Sequence, residues 1–260
     1  MRVTPADRLG GAPPHSKPRS ESRWGKPRRG LFRRLVRLVV LSALLAIVLS
    51  WLVVLPLRWI EPPTTAFMLL DESKSETLRY AWVSWSDIGS SIPIAVVAAE
   101  DQKFADHSGF DLDSIKQSVE DYAEGEALRG ASTISQQVAK NLYLWPGRSF
   151  VRKGIEAYFT VLIEASLSKQ RILEIYVNIA EFGPGIYGVR EASKFYFEKT
   201  PAELSDAEAA MLAAILPNPK QLRVINPSPY VLNRQDWIFG QMQRLRREGW
   251  ISGLNQSQTT

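Results

Sequence analysis

Twenty consecutive uncharged residues, Leu38 to Leu57, constrain this 260-residue chain more than any other feature. A helix of that length rises about 30 Å, which matches the hydrocarbon thickness of a bilayer. Five arginines lie in the ten residues before the run, whereas Arg58 alone follows it directly. By the positive-inside rule, this asymmetry predicts a cytoplasmic N-terminus and a main domain on the other side of the membrane. A cleaved signal peptide is the alternative, but the run is longer than a usual signal core and no small-residue cleavage pattern follows it.

The charge distribution divides the chain in the same way. Residues 1–37 contain eleven Lys/Arg and two Asp/Glu, a charge of +9, which leaves about −4 for the rest. The net positive charge of the chain therefore comes from the tail, so it gives no reason to expect nucleic-acid binding by the main domain. The chain has no cysteine, so disulfides and thiolate metal sites are excluded. We predict a disordered tail over 1–37, a transmembrane helix over 38–57, a linker over 58–91 and one domain over 92–260.

Beyond the predicted linker, in which we expect a short strand near Tyr80 to Trp85, the apolar periodicity is helical and no strand–helix alternation is visible. The domain should therefore be mostly α. Cap and breaker residues place its helices at 93–104, 114–122, 133–144, from 150 to a break at Ser168, 169–179, 189–197, 209–216 and 229–248. The expected caps are Asp111 or Asp113, Ser132, Ser168, Ser205 and Ser228, and a turn is expected at Gly183, Gly185 and Gly188.

An acidic doublet, Glu100-Asp101, ends an apolar helix and is the first candidate for chemistry. A carboxylate at the edge of an apolar cleft has a raised pKa, as a general acid or base needs. The other interpretation is a helix-end acid paired with Lys103, and the two are weighted equally. His107 has no partner at metal-ligand spacing, so we expect it to order the turn before Gly109.

A second candidate is the polar stretch Gly130-Ala-Ser-Thr-Ile-Ser-Gln-Gln137, which continues to Lys140. If Ser132 caps a helix, Thr133, Gln136 or Gln137, and Lys140 share one face, and that face resembles a sugar-phosphate site. The alternative is a solvent-facing polar stripe, but the stretch lacks the Glu and Lys that are usual on such a face.

The third candidate places Arg152 and Lys153 four and three residues before Glu156, on the same helix face. Two carboxylates suggest sugar chemistry, in which acids flank the bond that is made or broken. A diphosphate leaving group needs its charge neutralised, and cations at Lys140, Arg148, Arg152 and Lys153 suit that requirement better than ordinary glycoside hydrolysis.

These motifs resemble peptidoglycan glycosyltransferase family 51. The resemblance rests on Glu100 to Gly109, Gly130 to Asn141, Arg152 to Glu156, Lys169 to Asn178 and a glycine segment up to Phe197, followed by Ala213-Ala-Ile-Leu-Pro-Asn-Pro219. They occur in family order across about residues 93–227. Ala131, Ser135 and Ser193 depart from the family pattern without removing a charged group.

The resemblance implies a lysozyme-like, mostly α glycosyltransferase domain behind a single N-terminal transmembrane helix. It also implies polymerisation of a lipid-linked disaccharide-pentapeptide (lipid II), with inversion and with undecaprenyl diphosphate as the leaving group. By motif position, Glu100 is the expected base and Glu156 the assisting carboxylate on the donor side. The expected diphosphate ligands are Lys140, Arg148, Arg152 and Lys153, and the residues expected to line the donor cleft are Ser132, Gln136 and Gln137.

No metal ligand is assigned by the resemblance, although a divalent metal, magnesium or manganese, is compatible with it, and no organic cofactor is expected. Its partners are the membrane, the lipid-linked precursor, the growing strand and other cell-wall synthesis or division proteins, and its location is a bacterial inner membrane with the domain in the periplasm. Many relatives carry a transpeptidase. Here Ser166-Leu-Ser-Lys169 fits its Ser-x-x-Lys pattern but lies inside a glycosyltransferase motif, so we expect no nucleophile. Two other functions stay open, namely a lytic muramidase of lysozyme-like fold and an inactive anchored scaffold of cell-wall synthesis.

Overall fold

The structure is a computed structural model that describes residues 29–71, 78–123, 132–147 and 149–250. Most of these residues are helical, as the sequence predicts. The helices are α1 (Arg29–Val54), α2 (Ala66–Leu69), α3 (Trp85–Ile88), α4 (Ser91–Glu100), α5 (Leu112–Ala123), α6 (Ile134–Tyr143), α7 (Phe150–Ser166), α8 (Lys169–Ile179), α9 (Val189–Phe197), α10 (Asp206–Ile215) and α11 (Pro229–Arg247). Short 3-10 turns lie at Leu55–Arg58 and Pro201–Glu203.

The N-terminal apolar run forms α1 and the 3-10 turn after it. By length and composition, Phe32–Arg58 can cross a membrane. The regular helix ends at Val54, three residues before the end of the uncharged run, because Pro56 lacks the N–H that an α-helix needs there. The chain divides into two units, 1–45 and 46–260. Most of the predicted disordered tail lies outside the described residues.

Three helices of the second unit are buried along most of their length and form its core. α4 buries every residue from Ile92 to Ala98, α10 buries 209–215 and α8 buries 172–179. Helices of this kind are stable only when other elements surround them. α4 packs against α10 and α11, while α6 packs against α7 and α8, and contacts between α4 and α8 join the two groups.

The segment predicted as a linker, 58–91, contains α2, α3 and strand β1 (Arg79–Tyr80). The strand is shorter than expected and ends at Tyr80. The Asn178 amide accepts a hydrogen bond from Val83 N at 2.8 Å and donates one to Val83 O at 2.9 Å. The Glu174 carboxylate accepts from Trp85 N at 2.9 Å. These bonds attach the segment to α8 and give Asn178 and Glu174 structural roles.

A small sheet, absent from the sequence prediction, closes one side of the domain. Strand β1 pairs in parallel with β3 (Ile186–Tyr187), which pairs antiparallel with β2 (Glu181–Gly183). Gly188 follows β3 with a φ of 82°, and a Cβ there would lie 2.5 Å from the carbonyl oxygen of Asn178. Only glycine fits both the conformation and the close approach. Gly185 also has a positive φ, of 70°, so the turn predicted at Gly183, Gly185 and Gly188 is confirmed.

Most predicted caps are also confirmed. Ser168, Ser205 and Ser228 each accept a hydrogen bond from a backbone N–H in the first turn of α8, α10 and α11. Asp111 does the same for α5, through Ser114 N at 3.0 Å. These caps satisfy donors that the helix itself leaves unpaired, which explains why the sequence located the helix starts well.

Candidate active site

Glu100 is the last residue of α4, and its carboxylate faces a cleft. Its side chain is 13% exposed. The amide Nε2 of Gln137 donates to Glu100 Oε2 at 2.8 Å, and Arg234 Nη2 lies 3.5 Å from Oε1. Burial raises the pKa of Glu100, while the Gln137 hydrogen bond and the charges of Arg234 and Lys140 oppose that rise. The site therefore holds a carboxylate that is more basic than usual and still accepts donors when ionised.

The alternative interpretation of Glu100, a helix-end acid paired with Lys103, is wrong. Lys103 pairs instead with other acids, because its Nζ donates to Asp113 at 3.1 Å and lies 4.0 Å from Asp111. Among the residues that the structure describes, the partners of the Glu100 carboxylate come from α6 and α11.

Asp101, the other half of the doublet, holds the fold together. It is buried, and its carboxylate accepts from Ile134 N at 3.0 Å and contacts His107 Nε2 at 2.9 Å. His107 Nδ1 accepts from Gly109 N at 3.1 Å, so the proton of a neutral imidazole lies on Nε2 and is donated to Asp101. The prediction that His107 orders the turn before Gly109 is confirmed. This network fixes the start of α6 beside the end of α4.

The N-cap of α6 is Thr133, so the prediction that Ser132 caps this helix is wrong by one residue. Thr133 and Gln136 form a capping box, in which Thr133 Oγ1 accepts from Gln136 N and Gln136 Oε1 accepts from Thr133 N. Gln136, expected to line the donor cleft, is 3% exposed and uses its side chain inside the fold. The glutamine that reaches the cleft is Gln137, and Ser132 lies on the cleft wall just before the cap.

Lys140 lies one helical turn after Gln137 and between the two carboxylates. Burial lowers its pKa, and the charges of Glu156 and Glu100 act in the opposite direction. Its Nζ is also 5.5 Å from the centre of the Phe67 ring. The two carboxylates keep the partly desolvated ammonium charged, and such an ammonium attracts an incoming anion strongly because little water must be displaced.

The carboxylate of Glu156, on α7, organises two further cations. Arg152 Nη1 donates to Glu156 Oε2 at 3.1 Å, and Lys153 Nζ contacts Oε1. Glu156 is 2% exposed, so its charge is buried and paired. Lys153 also reaches Ser132 Oγ at 3.5 Å, which links α7 to the cleft wall. Arg152 Nε is buried with no hydrogen-bond partner among the described residues. Arg148 lies outside the described residues.

The cleft itself has a volume of about 900 Å³. It runs between α4 and α11 on one side and α6 on the other. Its lining contains four of the predicted site residues together with apolar and aromatic groups: Ala99, Glu100, Ser132, Gln137, Lys140, Leu216, Pro217, Tyr230, Asn233, Arg234 and Trp237.

Sequence reasoning missed the contribution of α11 to the cleft. Tyr230, Asn233, Arg234 and Trp237 follow spacings of three, one and three residues and so lie on one helix face. Arg234 pairs with Glu100, and its Nε is buried without a hydrogen-bond partner in the described part of the chain. The spacing was visible in the sequence, but nothing there indicated that this face meets Glu100 across 130 residues. Tyr176, from α8, was also missed, and its hydroxyl donates to Gln137 Oε1 at 3.1 Å.

The Ser-x-x-Lys match has a structural use. Ser166 Oγ donates to Leu162 O at 2.7 Å inside its own helix, and Lys169 Nζ pairs with Glu164 at 2.8 Å. Glu164 also accepts a hydrogen bond from Ser135, one of the three departures from the family pattern. The lysine is thus not directed at the serine, in agreement with the prediction of no nucleophile.

The fold and the cleft together define a mostly α-helical enzyme of the glycosyltransferase class, in which a buried carboxylate faces a set of cations. The sequence model of a family described as transglycosylase matches residues 68–243, and the chain belongs to that family. The mostly α fold and the enzyme class expected from the motifs are confirmed.

Curated relatives resemble most of the chain. A protein of Pseudomonas syringae pv. tomato named biosynthetic peptidoglycan transglycosylase is 48% identical over 216 residues, 80% of this chain and 91% of its own length. Proteins of the same name from Shewanella oneidensis and Xylella fastidiosa are 49% and 46% identical. Each alignment covers 85% of this chain, with 94% of the Shewanella protein and 92% of the Xylella protein.

Proposed function

We propose that this chain polymerises a lipid-linked disaccharide-pentapeptide into peptidoglycan strands. One observation carries the proposal: Glu100, a buried carboxylate of raised pKa, and Lys140 line the same cleft. The ammonium of Lys140 also interacts electrostatically with the carboxylate of Glu156. The names of the curated relatives support peptidoglycan as the product. A base on one side and cations on the other suit attack by a hydroxyl and departure of a diphosphate.

In the proposed reaction, Glu100 removes the proton from the 4-hydroxyl of the incoming monomer. The hydroxyl oxygen then attacks the anomeric carbon of the growing strand, and the bond from that carbon to the diphosphate oxygen breaks. Configuration at the anomeric carbon inverts, because the hydroxyl enters opposite the leaving group. The negative charge that develops on undecaprenyl diphosphate is neutralised by Lys140, Arg152 and Lys153, together with Arg148.

Glu156 acts in this scheme by holding cations in place. Arg152 and Lys153 both contact its buried carboxylate, so their positions are set before substrate arrives. Preorganised charges stabilise a transition state without reorganising during the step. Ser132 and Gln137 line the same cleft and are proposed to bind the donor sugars. Gln136 is omitted from this set, because its side chain is used in the capping box.

A divalent metal, magnesium or manganese, is not part of the proposed steps. Among the described residues there is no group of three or more His, Asp or Glu side chains that would hold one. Glu156 already contacts two cations, which leaves it a poor metal ligand. Metal dependence therefore stays a prediction, and running the polymerisation assay with and without divalent metal tests it. No organic cofactor is proposed.

The membrane anchor fits a substrate that stays in the bilayer. The apolar helix supports a membrane-bound protein, and the arginines on its N-terminal side suggest a cytoplasmic tail and a periplasmic domain in an inner membrane. Arg171, on α8, donates to Leu57 O at 2.8 Å and to Ile60 O at 3.1 Å, which ties the anchor exit to the domain. Association with other cell-wall synthesis or division proteins stays a prediction.

The experiment that tests the function compares two substrates. Purified full-length protein in detergent is incubated either with labelled lipid-linked monomer or with purified cell wall. Transferase activity yields long glycan from the monomer, and that glycan is digested by lysozyme. The rival function, a lytic muramidase, releases soluble fragments from the wall and makes no polymer. An inactive scaffold does neither, so each function gives a different pair of results.

A further inference from the structure

The cleft-facing side of α11 carries two large aromatic residues that take no part in the proposed reaction. Tyr230 is 58% exposed and Trp237 is 48% exposed, and both line the cleft with Glu100. A neighbouring side of α11, about a quarter turn away, packs into the core through four buried residues, Val231, Ile238, Met242 and Leu245. The two aromatic rings therefore add nothing to the core of the domain, and their exposure needs another explanation.

Trp237 stands where the cleft continues into a second section of about 340 Å³. Four residues border both sections, namely Ala99, Glu100, Ser132 and Trp237. The second section is also lined by four polar residues that do not border the first, Gln102, Lys103, Asp111 and Ser114. Trp237 therefore lies at the border of the two sections, where a ligand that extends from the Glu100 carboxylate can contact its indole.

The neighbours of the two rings indicate which ligand fits. Asn233 and Arg234 lie between Tyr230 and Trp237 on the same helix face. Arg234 is already paired with Glu100, but a lipid tail would leave the exposed amide of Asn233 without a partner, which is costly. A sugar strand presents C–H groups to an aromatic face and hydroxyl and amide groups to polar side chains, so it satisfies both kinds of residue.

The spacing of the rings also suits a polymer. Seven residues separate Tyr230 from Trp237, which is about 10.5 Å along the helix axis. That separation is on the scale of one disaccharide, so the two rings can pack against sugars one repeat apart. A single sugar ring would contact only one of them.

We infer that Tyr230 and Trp237 form a glycan-binding platform that holds the growing β-1,4-linked strand of N-acetylated sugars between additions. The inference rests on the proposed polymerase function and extends it to product length. A strand that stays bound after each transfer is extended again, whereas a strand that leaves is finished. Loss of either ring should therefore shorten the product more than it slows consumption of the monomer.

The test compares the strand lengths made by full-length wild-type, Trp237→Ala, Tyr230→Ala and Trp237→Phe proteins from labelled lipid-linked monomer. We expect Trp237→Ala to lower the mean strand length about fivefold, the equivalent of one aromatic contact. Trp237→Phe keeps an aromatic face and should recover most of that length. Phe239→Ala is the matched control, because Phe239 lies on the same helix and is 40% exposed but does not line the cleft. It should give wild-type lengths.

A second measurement does not depend on catalysis. Chitotetraose, a soluble β-1,4-linked N-acetylglucosamine tetramer, is titrated into each protein by calorimetry, and thermal unfolding shows whether each variant is folded. We expect binding by wild type and Phe239→Ala and weaker binding by both alanine variants of the platform. Wild-type strand lengths from folded Trp237→Ala, or equal chitotetraose affinity in all variants, would overturn the inference and leave the polymerase function standing. Absence of polymer from wild type would instead refute the polymerase function.

Discussion

Gln137 donates a hydrogen bond from its amide Nε2 to Glu100 Oε2 at 2.8 Å, and this bond links α6 to the end of α4 across the cleft. The orientation of the amide is fixed from behind, because Tyr176 donates its hydroxyl proton to Gln137 Oε1. The chain Tyr176, Gln137 and Glu100 therefore presents a donor to the carboxylate in a defined geometry. This hydrogen bond favours the ionised form of Glu100, whereas burial raises the pKa of the carboxylate and favours the protonated form.

Gln137→Leu should move the acidic limb of the pH–rate profile upward. Without the amide donor, burial acts on the pKa of Glu100 with less opposition, so the base is protonated up to a higher pH. We expect a shift of about one pH unit in kcat/KM. Tyr176→Phe, which frees the amide without removing it, should give a smaller shift in the same direction. An unmoved limb in folded Gln137→Leu would show that Glu100 is not the titrating base.

Glu156→Gln should weaken binding of the lipid-linked donor. The change removes the buried charge that holds Arg152 and Lys153, and it lowers the pKa of Lys140 further because the charge of Glu156 supports the ammonium. We expect KM for the donor to rise on the order of tenfold, with the alkaline limb of activity at lower pH. Steady-state kinetics at several pH values provide the measurement. Unchanged KM and an unchanged alkaline limb would argue against a role for Glu156 in placing the cations.

Asn178→Ala should destabilise the domain while leaving the cleft residues in place. The buried amide satisfies both Val83 N and Val83 O, and neither group gains a new partner when it is lost. We expect a loss of about 2–4 kcal/mol in unfolding free energy. Thermal unfolding measures it, with Gln117→Ala on the exposed face of α5 as the control. Equal melting temperatures for the two variants would contradict the structural role of Asn178.

Local signals predicted the helices well because caps and apolar periodicity are properties of neighbouring residues. Ser168 and Ser205 begin their helices as expected. The failure at α6 has a local cause as well, because Ser132 and Thr133 are both good caps and the box with Gln136 selects Thr133. The same choice decides which glutamine reaches the cleft. Both Gln136 and Gln137 were predicted to line the cleft, and the cap at Thr133 leaves only Gln137 there.

Long-range partners were beyond sequence reasoning. The importance of Glu100 was predicted from its place at the end of an apolar helix, yet its contact with Arg234 depends on how α11 packs against α4 and α10. The small sheet was missed because β1 and β3 are two residues long and pair across 100 residues. The grouping of Arg152 and Lys153 on Glu156 was predictable, since helical spacing alone places them together.

Glu181 should make the stability of the domain depend on pH. Burial is the main reason that its pKa is raised to about 7, whereas an unfolded carboxyl titrates near 4.5. Between these values the folded state binds more protons than the unfolded state, so stability falls as pH rises from about 4.5 to 7. We expect Glu181→Gln to flatten this part of a melting temperature against pH curve by a few degrees. The control is Glu120→Gln, at a carboxylate whose side chain is 55% exposed.

If Glu120→Gln flattened the curve as much as Glu181→Gln, the pH dependence would not come from burial of Glu181. The measurement also tests whether Glu181 affects the reaction, because Glu181 lines a pocket together with Gln137 and Lys140, which line the catalytic cleft as well. A shift in the melting curve without a shift in the acidic limb of activity would separate Glu181 from the reaction.

The most direct test of the central claim is the rate at which folded Glu100→Gln protein polymerises labelled lipid-linked monomer. The glutamine keeps the size of the side chain and can still bond with Gln137, but it cannot take a proton from the attacking hydroxyl. The account predicts a loss of at least about 100-fold in rate, with an unfolding temperature close to wild type. Polymerisation at a wild-type rate by this variant would contradict it.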